Sequence, residues 1–201
     1  MKRLAFVGFV TLSGCCSPPE VFSLDIPTQP QMASDWCWDA SQKMILDYLG
    51  TNVPHSECVG ANNEFGRSDC CNADSNGDTP AACNNGGWPQ IPTSGTGIYG
   101  YIDSQTSDAA LPFSTIQSQI YCARQPVGFS WHWPGGGGHY MVVKGYLTVD
   151  GTQYVDVNDP EPFTNLNDPT GGTERIMTYD TYVAVPGDHT HWRDDYMFVK
   201  Q

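Results

Sequence analysis

Apolar and polar positions follow three different rhythms along the chain. From Cys37 to Gly50, the residues Ala40, Met44, Ile45, Tyr48 and Leu49 recur at the offsets that place apolar side chains on one helical face. Gly50 supplies the stop. The stretch 51–112 has no such period and is dense in Asn, Gly, Asp, Pro and Cys. Within it only Glu57, Cys58, Ala61 and Phe65 are compatible with a short helix near 56–65. Ser114-Thr115-Ile116-Gln117 then reads as a capping box opening a second short helix through Ile116, Ile120 and Ala123, which Pro126 closes. Beyond it the pattern turns to strands at 127–131, 139–146, 152–157, 174–179 and 195–199. Asp150-Gly151 joins the second and third with the residues a two-residue hairpin turn wants. Helices first and an antiparallel sheet second predict an α+β domain.

The first residues change the picture of where the chain works. MKRLAFVGFVTLSGC carries two positive charges and an apolar run too short to span a bilayer. Its ending, Leu12-Ser13-Gly14-Cys15, resembles the bacterial lipoprotein box; a plain secretory cleavage site is the rival reading. The resemblance implies cleavage before Cys15, lipidation of its thiol and a location anchored to a bacterial membrane, outer membrane or periplasm in a Gram-negative host. Residues 1–14 are then a signal peptide, 15–28 a proline-interrupted tether, and 29–201 a single domain. Loss of the signal removes Lys2 and Arg3 and no acid, leaving 7 basic against 22 acidic residues and a net charge of −15. Such a chain is a poor partner for nucleic acid or an anionic membrane, so membrane contact is expected only through the lipid.

An exported compartment permits disulfides. With Cys15 lipidated and Cys37 kept free, Cys58, Cys70, Cys71, Cys83 and Cys122 are the bridge candidates, at most two bridges with one cysteine left over, and Cys16 beside the anchor. Adjacent Cys70 and Cys71 are expected to point to different partners.

Cys37 stands at or just before the first turn of the first helix, where unpaired N–H groups and the macrodipole favour a thiolate. Six residues earlier, the Gln31 amide is placed to donate to an oxyanion beside the sulfur. His139 opens a strand after Gly135–Gly138, and the hairpin returns to Asn158-Asp159-Pro160, so either Asn158 or Asp159 can reach the imidazole. Side chains alternate along a strand, so only one of the two can serve. A nucleophile, a base and an orienting group make a site for nucleophilic catalysis by sulfur.

Gln31-x5-Cys37-Trp38, GGGHYMVVKGY and YVDVNDP together resemble the motifs of papain-like cysteine proteases. The Asp-Pro ending is closer to the bacterial branch that includes bacteriocin-leader peptidases and papain-like effectors, and NEFGRSDCC resembles a segment of bacterial members. The resemblance covers about residues 25–200. It implies a papain-like fold and a peptide or protein substrate. It assigns Gln31 as oxyanion donor, Cys37 as nucleophile, His139 as general base then acid, and Asp159 in preference to Asn158 as orienter. No metal and no cofactor are implied. Two departures stand out: Asp39 where the family usually has a small residue, and no tryptophan just after Asp159-Pro160, for which Phe163 or Trp192 is the candidate substitute. An amidase or acyltransferase acting on cell-wall peptides, and an inactive binding lipoprotein, are the rival functions.

Other chemistry-bearing residues have plainer readings. His132, Trp36, Trp38, Trp131 and Trp133 read as core or groove wall, and His189 with His191 as surface. His55 with Cys58, Cys70, Cys71 and Cys83 lacks the Cys-x2-Cys spacing of a zinc site. Asn72-x-Asp74-x-Asn76-Gly77-Asp78 mimics half a calcium loop, but its twelfth position is Cys83 rather than Glu.

Overall fold

A computed structural model describes residues 16–50, 56–74, 78–89, 102–161 and 171–200. The elements run β1 (Val21–Ser23), α1 (Cys37–Tyr48), α2 (Glu57–Phe65), β2 (Ile102–Ser107), α3 (Phe113–Gln117) with a π-turn over Ser118–Cys122, and β3 (Val127–His132). They continue as β4 (Gly138–Val149), β5 (Thr152–Asp159), β6 (Thr173–Thr178), α4 (Tyr179–Val183), β7 (Ala184–Val185) and β8 (His189–Lys200). Helices precede most of the strands, and every strand pair is antiparallel: the fold is α+β, as its hydrophobic rhythm predicts.

The sheet order is β2-β8-β3-β4-β5-β6, with β7 on β8 and β1 on β4. β3 pairs with the first half of β4, and β1 pairs with Gly145–Leu147 further along it. Central β4 is therefore paired along its length and buried on both faces from His139 to Tyr146. Asp150 and Gly151 take positive φ angles of 49° and 79° between β4 and β5, the conformation that tight hairpin turn requires. α1 lies against β4. Its Met44, Ile45 and Leu46 pack in one core with Val142, Val143, Tyr146, Phe129 and Val157.

Three expectations need correction. The stretch read as a tether is docked on the domain: it contributes β1, buries Leu24 and Ile26 in the core, and is bonded through Cys16 to Cys122. Cys122 is thus the cysteine left over among the five candidates, and Cys16 is its partner. Cys58–Cys71 and Cys70–Cys83 are the other bridges, so the two adjacent cysteines do take different partners. The capping box is unused. Phe113 is buried and enters the helix, Pro112 stands at its N-cap, and no side chain caps it. β2 lies inside the region read as irregular. Cys15 and His55 lie outside the described residues.

Bridges of this kind belong to proteins that fold in an oxidising compartment. Among the described residues, no helix is long and apolar enough to cross a membrane.

Candidate active site

α1 begins at Cys37 without help from a side-chain cap. Its start is fixed by packing instead. Trp36 is fully buried, its indole donates to the Cys83 carbonyl at 2.8 Å, and its backbone N–H closes a turn on the Ala33 carbonyl at 3.1 Å. The N–H groups of Cys37 and Trp38 are left without a backbone acceptor among the described residues. They form the positive end of a twelve-residue helix at the sulfur. Cys37 is half-buried and is the free cysteine of the described chain.

Across from it, β4 carries His139 in register with Trp131 of β3. His139 Nε2 lies 2.7 Å from Asp159 Oδ1, and its ring lines the same cleft as Cys37. With Nε2 on the carboxylate, Nδ1 is the nitrogen left for sulfur. The backbone N–H of Tyr140 donates to Sγ at 3.4 Å, a further contact favouring negative charge there. Tyr140 is itself held in place. Its carbonyl accepts from Ser41 Oγ on α1 at 3.0 Å, and its hydroxyl donates to buried Asp195.

Burial taken alone pulls the His139 imidazole downward. The hydrogen bond to Asp159 and the interactions with the Cys37 and Asp159 charges outweigh it and raise the group from 6.5 to about 10. The structure thus favours the imidazolium form of His139. Asp159 is oriented in turn: its Oδ1 accepts from the Glu161 N–H at 2.9 Å. Arg175 Nε lies 2.9 Å from its Oδ2 as an ion pair, although not aligned as a hydrogen bond.

Asn158 points the other way. Its amide donates to the Ile26 carbonyl at 2.7 Å and accepts from Thr28 Oγ1 at 2.9 Å, pinning the N-terminal segment to β5. Strand alternation divides the two neighbours into one that meets His139 and one that holds the fold.

A model of the Peptidase_C39 like family matches residues 23–185, well over half of the chain. The chain belongs to that family. No curated protein matches the sequence. One similar solved structure comes from work on the limited antibody cross-reactivity between the mite allergens Blo t 1 and Der p 1. It has a TM-score of 0.43 and 12% identity, over 93% of this chain and 74% of that one.

In this member of the Peptidase_C39 like family, Gln31 is not turned toward the cleft. It is fully buried, and its Nε2 donates to the carbonyls of Ala33 at 3.0 Å and Ser34 at 2.7 Å. Both donor hydrogens are spent on the turn that precedes Cys37. Its backbone N–H bonds the Pro160 carbonyl at 3.0 Å, tying that turn to the end of the strand bearing Asp159. Asp39 also faces away from the sulfur. Its carboxylate packs against Gly60 of α2, where a Cβ would come within 2.0 Å of Oδ2, so the helices meet only because residue 60 has no side chain.

The cleft beside Cys37 has a volume of about 440 Å³. Trp38, Trp88, Trp133 and Trp192 line it. Trp133 lies parallel to the His139 ring with centroids 6.4 Å apart, and Trp192 meets Trp88 edge-on at 4.8 Å. Trp36 and Trp131 are core, with the Trp131 indole donating to the Tyr182 carbonyl. His132 packs edge-on against Trp192. His189 is buried rather than on the surface, because it stacks on Trp131 at 3.7 Å and bonds Asp188 and the Thr181 carbonyl. His191 is likewise mostly covered and lies 3.0 Å from Asp194 Oδ1. Among the described residues, the grouping with metal-ligand spacing is Asp69 with Cys70 and Cys83, and its two sulfurs are bonded to each other. In the calcium-like stretch the Asp78 N–H donates to Asp74 Oδ1 at 3.0 Å, while Asn76 and Gly77 lie outside the described residues. Phe163 lies outside the described residues.

Proposed function

We propose that this protein is an exported cysteine peptidase that hydrolyses peptide bonds through a thioester on Cys37. The observation that carries the reading is that Cys37 and the His139–Asp159 pair meet at one cleft, in a member of the Peptidase_C39 like family. Sulfur attacks the scissile carbonyl carbon, an S–C bond forms, and the carbonyl oxygen takes the charge. The free N–H groups at the start of α1 hold that oxyanion. Gln31 joins them only if its amide leaves the Ala33 and Ser34 carbonyls. The His139 imidazolium gives its proton to the leaving amine as the C–N bond breaks. His139 then takes a proton from water, the hydroxide attacks the thioester, and the S–C bond breaks to release the acid. Asp159 keeps the ring oriented and stabilises its charged form.

The lipoprotein-like N-terminus supports anchoring through Cys15, with the domain held close to the membrane because Cys16 is bonded to its body. The test of the activity is a peptide library digested by the mature domain and by Cys37→Ala. Cleavage by the first and none by the second, with both folded, is the expected result. Equal cleavage by both would sink the reading, and so would no cleavage by either.

A further inference from the structure

We propose that the cleft selects cationic peptides, those with Lys or Arg close to the scissile bond; this rests on Cys37 being the nucleophile. Three separate elements bring an acidic residue to the lining of the one cleft: Asp35 from the turn before α1, Glu64 from α2, and Glu161 from the corner after β5. The same walls carry the four indoles, and among the described lining residues there is no Lys or Arg. The nearby arginines are already engaged, Arg175 with Asp159 and Arg193 with Asp195.

An acidic rim alone would say little in a chain of net charge −13. The aromatic walls make the argument independent of it. An indole face attracts a cation through its quadrupole, and a flanking carboxylate adds charge to the same side chain. Arg193 already takes one such face, its guanidinium 5.2 Å from the centre of the Trp88 ring, which leaves Trp38, Trp133 and Trp192 for a substrate cation. A substrate lysine or arginine entering beside Cys37 meets both kinds of partner. A peptide rich in carboxylates, as cell-wall peptides are, meets like charge instead. The field of the whole molecule acts in the same sense on diffusing peptides.

The experiment compares three fluorogenic peptide sets of matched length, with Lys/Arg, Ser/Ala or Asp/Glu flanking the cleaved bond, at low salt and in 0.5 M NaCl. Expected is a kcat/KM for the cationic set about tenfold or more above the neutral set, with the acidic set lowest. That advantage shrinks severalfold in high salt. In Asp35→Asn with Glu161→Gln, the cationic-to-neutral ratio falls by about threefold or more; as a ratio it is insensitive to a general loss of active enzyme. Equal cleavage of all three sets, or a ratio that the double variant leaves unchanged, overturns the proposal while the peptidase reading stands. Absence of cleavage in every set defeats the peptidase reading itself.

Discussion

The most informative perturbation is Asp159→Asn, because it removes one charge from beside His139 and keeps an oxygen at the same place. His139 Nε2 lies 2.7 Å from Asp159 Oδ1, and both groups are buried. A hydrogen bond to an ionised partner contributes about 1.5–3 kcal/mol, and one pKa unit corresponds to about 1.4 kcal/mol. Asparagine still accepts from Nε2–H but supplies no charge, so the imidazole should titrate about 1–2 units lower than in the parent. The assay is the pH dependence of the imidazole Cε1 signal by NMR, assigned by its loss in His139→Gln. The parent midpoint is expected near 10 and the variant clearly below it. The sign for stability follows. His139 binds its proton more tightly folded than unfolded, so its stabilisation is complete below 6.5 and is lost as pH rises to about 10. A parent midpoint near 6.5, or one unmoved by Asp159→Asn, would refute the reasoning.

Three further outcomes are expected. Asn158→Ala loses the bonds to Ile26 and Thr28 and should cost about 1–3 kcal/mol in urea unfolding, while the His139 midpoint stays where it was. Glu57 is a buried carboxyl that burial pushes up from 4.5 to about 8 despite its bond from the Met32 N–H, with the Asp39 charge adding to the rise. Stability therefore falls through it between pH 4.5 and 8, and Glu57→Gln should raise Tm by several degrees at pH 8.5 with little change at pH 4, read by calorimetry. Removing the Cys70–Cys83 bridge by serine at both positions opens a short loop and should cost about 3 kcal/mol, read by the same urea titration.

Much of the site was legible because each part had a local signal. The apolar period of 40–49 placed Cys37 at a helix start, and Asp150-Gly151 fixed the hairpin that returns residues 158 and 159 to His139. Strand alternation allowed only one of Asn158 and Asp159 to meet His139, and the preference for Asp159 came from the resemblance of the Asp-Pro ending. What escaped were features set by distant contacts. β1 is three residues between prolines, and its strand character comes from the free edge of β4. Cys16 and Cys122 are 106 residues apart, with no local pattern to pair them. Spacing placed Gln31 near the sulfur but says nothing of its side-chain torsions, and the carbonyls of Ala33 and Ser34 claim its amide. Phe113 entered the core and moved the helix start ahead of Ser114, so a sound capping signal went unused.

The claim on which the rest depends is that Cys37 is an activated nucleophile. Brief treatment of the mature domain with iodoacetamide at neutral pH, read by peptide mass spectrometry, tests it without any knowledge of the substrate. The account predicts fast modification of Cys37 alone, slowed in His139→Ala, with the three bridges intact. A Cys37 that reacts no faster than an ordinary thiol, or equally fast without His139, would contradict it.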